Sequence, residues 1–97
     1  MRMLLKVSVP AKSGNEAAKS GALKQTIQAT MAKLKPEAAY FYAEDGNRTS
    51  FMVFDMQGSW QLPATLEPLF AALGASVTLT PVMSAEDLDR GFKEAGM

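Results

Sequence analysis

Cysteine and histidine are both absent from the 97 residues of this sequence. Without cysteine the chain has no disulfide, no thiolate nucleophile and no thiolate metal site. Without histidine it lacks the commonest general base and the commonest transition-metal ligand. Any chemistry must therefore come from carboxylates, amines, guanidinium groups, phenols or hydroxyls. We expect neither a metal site nor a cofactor.

An excess of charge of either sign is also missing. Ten Lys and Arg residues balance ten Asp and Glu residues, so the formal net charge is zero. Proteins that bind nucleic acids or anionic membranes normally use positive charge to attract them. The longest apolar run is far shorter than the roughly 20 residues that a membrane-spanning helix needs. The composition therefore predicts a cytoplasmic protein with no nucleic-acid partner and no membrane segment.

A chain of 97 residues accommodates one domain, residues 1–97, with a single layer of helices over one sheet. Apolar residues recur at every second position over residues 3–9, which predicts a half-buried strand. Ser13 and Glu16 have the spacing of a capping box. Apolar residues then recur at helical spacing, so we predict one helix over residues 16–35.

Two strands rich in aromatic and β-branched residues, 38–43 and 48–54, flank an Asp45-Gly46 pair. Asp-Gly is a strong hairpin signal because both central residues of a type I′ turn need positive φ. A two-residue loop sets the register of the strand pairing. The predicted partners across the hairpin are Tyr42 with Thr49 and Tyr40 with Phe51.

The next segment combines a helical pattern with a proline. Apolar residues over 62–73 predict a helix that Gly74 ends. Ser59 is positioned to cap a helical turn before it. Pro68 lies inside the segment and lacks the N–H that a helix interior uses. We therefore predict either a break or kink near Glu67, or a short turn followed by a helix that begins at Pro68.

The C-terminal part completes the element order. Residues 76–80 alternate again and predict a fourth strand. Ser84 and Asp87 repeat the capping-box spacing before a short C-terminal helix. The order is therefore β-α-β-β-α-β with a final helix. It is the order of an α+β ferredoxin-like plait, a four-stranded antiparallel sheet with two helices on one face.

The helices of such a plait leave the other face of the sheet uncovered. Both faces of the central hairpin are apolar, so one apolar set is exposed whichever way the hairpin sits. The two sets are Tyr40, Tyr42, Phe51 and Val53, or Phe41, Met52, Phe54 and Met56. An exposed apolar patch of this size marks an interface or a ligand groove. We predict that a second copy of the sheet covers it in a two-fold homodimer, forming a dimeric α/β barrel.

The segments YFYAEDGNRTSFMVFDM, EPLF and VTLTPVMSAEDL, within residues 38–90, resemble a group of small bacterial proteins in the dimeric α/β-barrel superfamily. The superfamily includes muconolactone-isomerase-like enzymes, cofactor-free quinone-forming monooxygenases, haem-degrading enzymes, chlorite-dismutase-like proteins and stress-responsive barrel proteins. The resemblance implies a ferredoxin-like fold and a barrel shared by two chains. It implies no reaction, because fold alone does not imply function. Haem-binding members ligate iron through histidine, which this chain lacks, so no catalytic role is carried over.

Two carboxylates are candidate catalytic bases. Asp55 follows four apolar residues, so we predict partial burial and a raised pKa, the state that a general base needs. A strand-end carboxylate that caps a loop N–H is the alternative. Glu67 precedes Pro68, where it either caps a restarted helix or serves as an active-site carboxylate at a kink. Tyr40 and Tyr42 are candidate donors to a carbonyl ligand, or packing residues.

Four further residues, with both tyrosines, are candidate ligand-binding groups. Lys6 and Ser8 point to the open side of the sheet, either as a polar cluster inside a barrel or as edge residues in solvent. Arg48 lies about 23 Å from Asp55 along one strand, so the two can pair only across a dimer. The alternative is that Arg48 is a charged residue beside the hairpin turn without a binding role. Trp60 either covers the barrel mouth or packs against the next helix.

Two functions are compatible with the sequence. The first is binding of a small apolar or aromatic organic molecule in the barrel, which the absence of histidine favours. The alternative is a cofactor-free enzyme, monooxygenase-like or isomerase-like, acting on an aromatic or enolisable molecule with a carboxylate base. RNA-recognition motifs and acylphosphatases share the plait order, but this chain lacks the basic aromatic run of the former and the Arg-bearing, Gly-rich loop of the latter.

Overall fold

Helices pack on one face of a four-stranded antiparallel sheet in the computed structural model, which describes residues 1–97. The elements are β1 (Arg2–Val9), α1 (Ala11–Ser20), α2 (Ala22–Leu34), β2 (Ala38–Glu44), β3 (Asn47–Asp55), α3 (Leu62–Leu73), β4 (Ser76–Pro81) and α4 (Ala85–Glu94). A 3-10 turn, Ser59–Gln61, precedes α3. The strand order is β2-β3-β1-β4. The α+β class is as predicted, and the architecture is compatible with a ferredoxin-like plait.

The core lies between the helices and the alternate residues of β1. The four positions with this spacing are all buried: Met3, Leu5, Val7 and Val9. Leu69 and Leu73 of α3 pack against this cluster and, like Leu5, are 0% exposed. The period of two in β1 therefore separates a buried face from a face that the helices leave uncovered.

The hairpin of β2 and β3 has the predicted register. Its pairs include Tyr42 with Thr49 and Tyr40 with Phe51. Asp45 and Gly46 have φ values of 53° and 76°, the left-handed conformation that a type I′ turn requires. A two-residue turn of this kind matches the twist of the strands that it joins, and it sets which side chains share a face of the sheet.

The prediction of one helix over residues 16–35 is wrong. Two helices, α1 and α2, meet at Gly21, whose φ of 86° is left-handed. Glycine adopts this conformation without steric cost, so the chain turns there. The capping box of Ser13 and Glu16 is not formed. Instead, α1 begins directly after Pro10, and the Ser13 hydroxyl donates to the Pro10 carbonyl at 3.3 Å.

The predicted break near Glu67 is also wrong, because α3 runs without interruption through Pro68. Proline has no N–H to donate to the carbonyl four residues earlier, here that of Ala64. The Lys33 side chain of α2 supplies the missing donor: its Nζ lies 2.9 Å from the Ala64 carbonyl oxygen. A neighbouring helix thus satisfies the carbonyl that the proline leaves without a partner.

The Lys33 contact gives a first testable prediction. Changing Lys33 to methionine removes the donor, and we expect the free energy of unfolding to fall by about 0.5–1 kcal/mol. In a Pro68→Ala background, residue 68 provides its own N–H, so the same change should lower it by much less. The wild type, the two single variants and the double variant form a double-mutant cycle, and urea denaturation measures the stability of each. Equal losses in the two backgrounds would show that Lys33 does not act through the proline.

The helix ends differ in their capping. Ser84 caps α4 as predicted, since its hydroxyl accepts from the Asp87 N–H at 3.1 Å and the Asp87 carboxylate accepts from the Ser84 N–H at 3.1 Å. The 3-10 turn and α3 begin without a side-chain cap, so the capping role predicted for Ser59 is wrong. No residue of α4 is buried, and the helix touches the rest of the chain little.

Candidate functional site

The face of the sheet that the helices do not cover is called here the open face. The strand registers place the hydrophobic hairpin set that includes both tyrosines on it. Its side chains include Leu4, Lys6 and Ser8 of β1, Ala38, Tyr40 and Tyr42 of β2, Phe51 and Val53 of β3, and Thr78 and Thr80 of β4. The set with Phe41, Met52 and Phe54 faces the helices, and Met52 and Phe54 are buried there.

Three rings form an aromatic cluster on the open face: Tyr40, Tyr42 and Phe51. The centroids of Tyr40 and Phe51 are 5.3 Å apart with a tilted geometry, and those of Tyr42 and Phe51 are 6.1 Å apart edge to face. Both spacings are in the range of favourable aromatic pairs. Tyr40 is nevertheless 61% exposed and Tyr42 40% exposed. The cluster is therefore ordered by ring contacts but not covered by the chain.

An ion pair lies beside the aromatic cluster. Lys6 is opposite Phe51 in the sheet, and its Nζ is 2.6 Å from the Glu44 carboxylate. Hydrogen bonding to this carboxylate raises the pKa of Lys6 above its ordinary value, against the opposing effect of desolvation. Glu44 was not among the predicted site residues. The alternation of β2 could have identified it, because Glu44 shares a face with Tyr40 and Tyr42.

The other half of the open face carries hydroxyl groups. Thr78 of β4 is opposite Lys6, and Thr80 is opposite Leu4. Ser8 lies two residues along β1 from Lys6, on the same face. The open face thus has an aromatic half on β2 and β3 and a hydroxyl half on β1 and β4. Lys6 lies between them, so the polar cluster predicted from the alternation of the strands shares one surface with the rings.

Asp55 lies at the end of β3, and the expected partial burial and raised pKa are wrong. Its side chain is 72% exposed. One carboxylate oxygen accepts from the Met1 ammonium at 2.8 Å and the other from Gln57 at 2.9 Å. These hydrogen bonds lower the pKa of Asp55 below its ordinary value. A carboxylate stabilised in its charged form is a weaker base than the one predicted.

Glu67 and Trp60 are not brought together with the aromatic cluster. Glu67 is exposed on α3, in the helix layer, whereas both tyrosines lie on the opposite side of the sheet. Trp60 is 75% exposed, and its indole lies over Gly58, where the ring leaves no space for a Cβ. The catalytic role of Glu67 and the ligand-binding role of Trp60 stay predictions.

Arg48 belongs to the helix side of the sheet, not to the open face. Its Nη1 donates to the Asn15 side chain of α1 at 3.1 Å. Beside it runs a groove of about 390 Å³, called here the helix-side groove. The groove lies between Leu23 and Ile27 of α2 and Phe41 of β2. The sequence did not predict this groove, because the groove exists only where α2 leaves the edge strand β2 uncovered.

A second set of charges joins the N-terminal strand to α4. Arg2 pairs with Glu37 and, through Nη1 at 3.3 Å, with Asp87. These contacts raise the pKa of Arg2, with Glu37 as the main cause.

No group of three or more potential ligand side chains is arranged to hold a metal ion. No helix combines the length and the apolar character that crossing a membrane requires.

Comparisons with known proteins bear on the fold. The sequence matches no protein-family model, and no curated protein matches it. A formyltetrahydrofolate deformylase from Pseudomonas putida KT2440 is similar in structure, with a TM-score of 0.56 and 12% identity over 84% of this chain. The chain spans 29% of the length of that protein. MupZ from Pseudomonas fluorescens is similar over 98% of this chain and 81% of its own, with a TM-score of 0.50 and 18% identity.

These likenesses concern fold alone, since both identities lie below the level at which activity can be transferred. They are consistent with a small α+β domain. The association of two chains and the molecule that binds the open face depend instead on the residues exposed on that surface.

Proposed function

We propose that the open face is one wall of a barrel shared by two copies of this chain, and that the barrel binds a small aromatic organic molecule. The observation that carries the proposal is the aromatic cluster of Tyr40, Tyr42 and Phe51, ordered by ring contacts but exposed. Exposed apolar patches of this kind on small domains mark interfaces and ligand grooves.

Three features favour a second copy as the cover. The open face carries apolar side chains on three of its four strands, and α4 has no buried residue despite Leu88 and Phe92 on one side. A ten-residue helix is marginal in water without a packing partner. The Cα radius of gyration, 15.3 Å, exceeds the roughly 12.5 Å typical of a compact domain of this length. Two-fold association is the commonest way to cover such surfaces.

The polar groups define the class of ligand. The rings offer stacking surfaces, while Lys6, Glu44 and the threonines of β4 offer donors and acceptors at their border. A binding pocket typically combines apolar walls with a few polar groups that orient the ligand. A planar aromatic molecule with one polar substituent matches this surface, with its ring on Tyr40 and Phe51 and its substituent towards Lys6.

The alternative, a cofactor-free enzyme with a carboxylate base, has less support. Asp55 is exposed with a lowered pKa, and Glu67 lies on the other side of the sheet from the tyrosines. Glu44 is the carboxylate nearest to the aromatic cluster, but it is paired with Lys6. We therefore propose binding rather than turnover as the function of the open face.

Titration with 2-naphthol tests the proposal, with dissociation constants measured by equilibrium dialysis. Changing Tyr40 to leucine removes a stacking surface, so we expect the affinity to fall at least about tenfold. Phe41→Leu is the matched control, because Phe41 is the next residue on the same strand but faces the helices. Its affinity for 2-naphthol should stay within about twofold of the wild type.

The opposite pattern would contradict the proposal. If Phe41→Leu weakens binding while Tyr40→Leu does not, the molecule binds on the helix side of the sheet. If neither the wild type nor the two variants bind 2-naphthol saturably, the open face is not an aromatic-binding surface of the kind proposed.

A further inference from the structure

The helix-side groove is a cavity that the proposed function does not use. Leu23 and Ile27 of α2 form one wall, and Val7 and Val9 of β1 lie at its base. Phe41 of β2 faces this side and is 53% exposed, because α2 does not cover the edge strand. The volume of about 390 Å³ is within the range of small-molecule sites.

A fixed positive charge lies at this groove. The Arg48 side chain crosses Gly14 of α1, where an added Cβ would be 2.8 Å from Nη1. Its Nη1 also donates to Asn15 at 3.1 Å. Contact with a buried glycine and a neutral amide positions the guanidinium without neutralising it.

The positive charge at the groove has no counterpart in the chain. None of the residues that line the groove is Asp or Glu. Arg48 takes part in none of the six ion pairs of the chain, which involve other residues. A guanidinium retains several donors after one bond to an amide, in a fork that matches a carboxylate. The groove therefore combines apolar walls with an unpaired cation.

We propose that the helix-side groove binds a small monocarboxylate with an apolar body, with Arg48 holding the carboxylate. Charge complementarity selects the acid over a neutral molecule of the same shape, and Leu23, Ile27 and Phe41 contact the apolar part. The groove and the open face are on opposite sides of the sheet. Tyr42 of the aromatic cluster also lines the groove at the edge of the sheet, but Tyr40 and Phe51 do not. Binding in the groove therefore requires neither a second copy nor stacking on Tyr40 and Phe51.

A single isoleucine makes the site directly observable. Ile27 is the only isoleucine in the sequence, so methyl labelling gives one isoleucine signal from the wall of the groove. The protein is titrated with octanoate, below the concentration at which it forms micelles, and with 1-octanol as the neutral probe. We expect a saturable shift of the Ile27 signal with octanoate, at an affinity at least about tenfold higher than for 1-octanol.

Two variants assign the preference to Arg48. Arg48→Met retains an apolar stem without the charge, so the two probes should bind with affinities within about twofold of each other. Gly14→Ala places a methyl group against the guanidinium and also 3.2 Å from Val9 at the base of the groove. It should therefore weaken octanoate binding more than 1-octanol binding. Arg90→Met is the matched control: it makes the same substitution on α4, whose residues do not line the groove, and it should alter neither affinity.

Two results would overturn the proposal. The first is the absence of a saturable Ile27 shift with octanoate. The second is an octanoate affinity that Arg48→Met leaves unchanged. Neither result bears on 2-naphthol binding to the open face, so the two sites can fail independently.

Discussion

Replacing Leu5 with alanine is expected to lower the free energy of unfolding by about 2–5 kcal/mol. Leu5 is 0% exposed and lies in the core between β1 and α3, where the truncated side chain leaves a cavity that neighbours fill only in part. A domain of this size is stabilised by only about 5–15 kcal/mol in total. Urea denaturation followed by circular dichroism measures the loss.

Leu4→Ala is the matched control for this substitution. Leu4 is the next residue of β1, only partly buried, and it faces the open side of the sheet opposite Val53. In dilute protein the change should lower the free energy of unfolding by less than about 1 kcal/mol. At higher protein concentration the proposed dimer predicts a larger loss, because Leu4 would then also contribute to contacts between the two copies. Similar losses for Leu4 and Leu5 would contradict the assignment of the two faces.

Phe51→Asp is expected to dissociate the proposed dimer. Phe51 is at the centre of the aromatic cluster, so a second copy on the open face would bury the new carboxylate. Burying an unpaired charge costs several kcal/mol, and we expect the dissociation constant to rise at least about 100-fold. Analytical ultracentrifugation over a range of concentrations measures this change. The monomer should keep its helical and strand content, because the side chain does not support the helix-side core.

Phe70→Asp provides the corresponding control. Phe70 is a phenylalanine on α3, 43% exposed and on the helix side of the sheet. The same substitution there adds the same charge without touching the open face, so the dimer should persist. A wild-type protein that is monomeric at every concentration would rule out the shared barrel. Dissociation by both variants would mean that the chain associates through a different surface.

The open face shows which features of a site a sequence pattern can predict and which it cannot. Alternation in β1 and the Asp45-Gly46 turn predicted which residues share a side within β1 and within the hairpin, but not that Tyr40 lies on the same side of the sheet as Lys6. They did not predict the ion pair of Lys6 with Glu44, because that contact crosses the intervening strand. The residue pattern of one strand predicts the face of the sheet on which each side chain lies. A contact between two side chains also depends on the relative position of their strands and on the side-chain conformations.

Pro68 shows where local rules fail. A proline inside a helix leaves one carbonyl without a donor, and from sequence alone the expected result is a kink. Lys33, distant in sequence, reaches that carbonyl from α2 at 2.9 Å, and α3 continues. Asp55 is a similar case, since its apolar neighbours suggested burial, but the end of β3 places it in solvent beside the Met1 ammonium.

The sequence by itself determined the positions of the four strands, the hairpin register and the two-sided apolar character of the central strands, but not the division of the first helical segment at Gly21. These properties depend on side-chain period and turn chemistry, which act over a few residues. Only the tertiary structure decided which hairpin face is uncovered, that Arg48 lies beside an apolar groove, and that Lys33 replaces the donor missing at Pro68. Those features depend on the packing of helices against the sheet, which brings together residues that no local pattern relates.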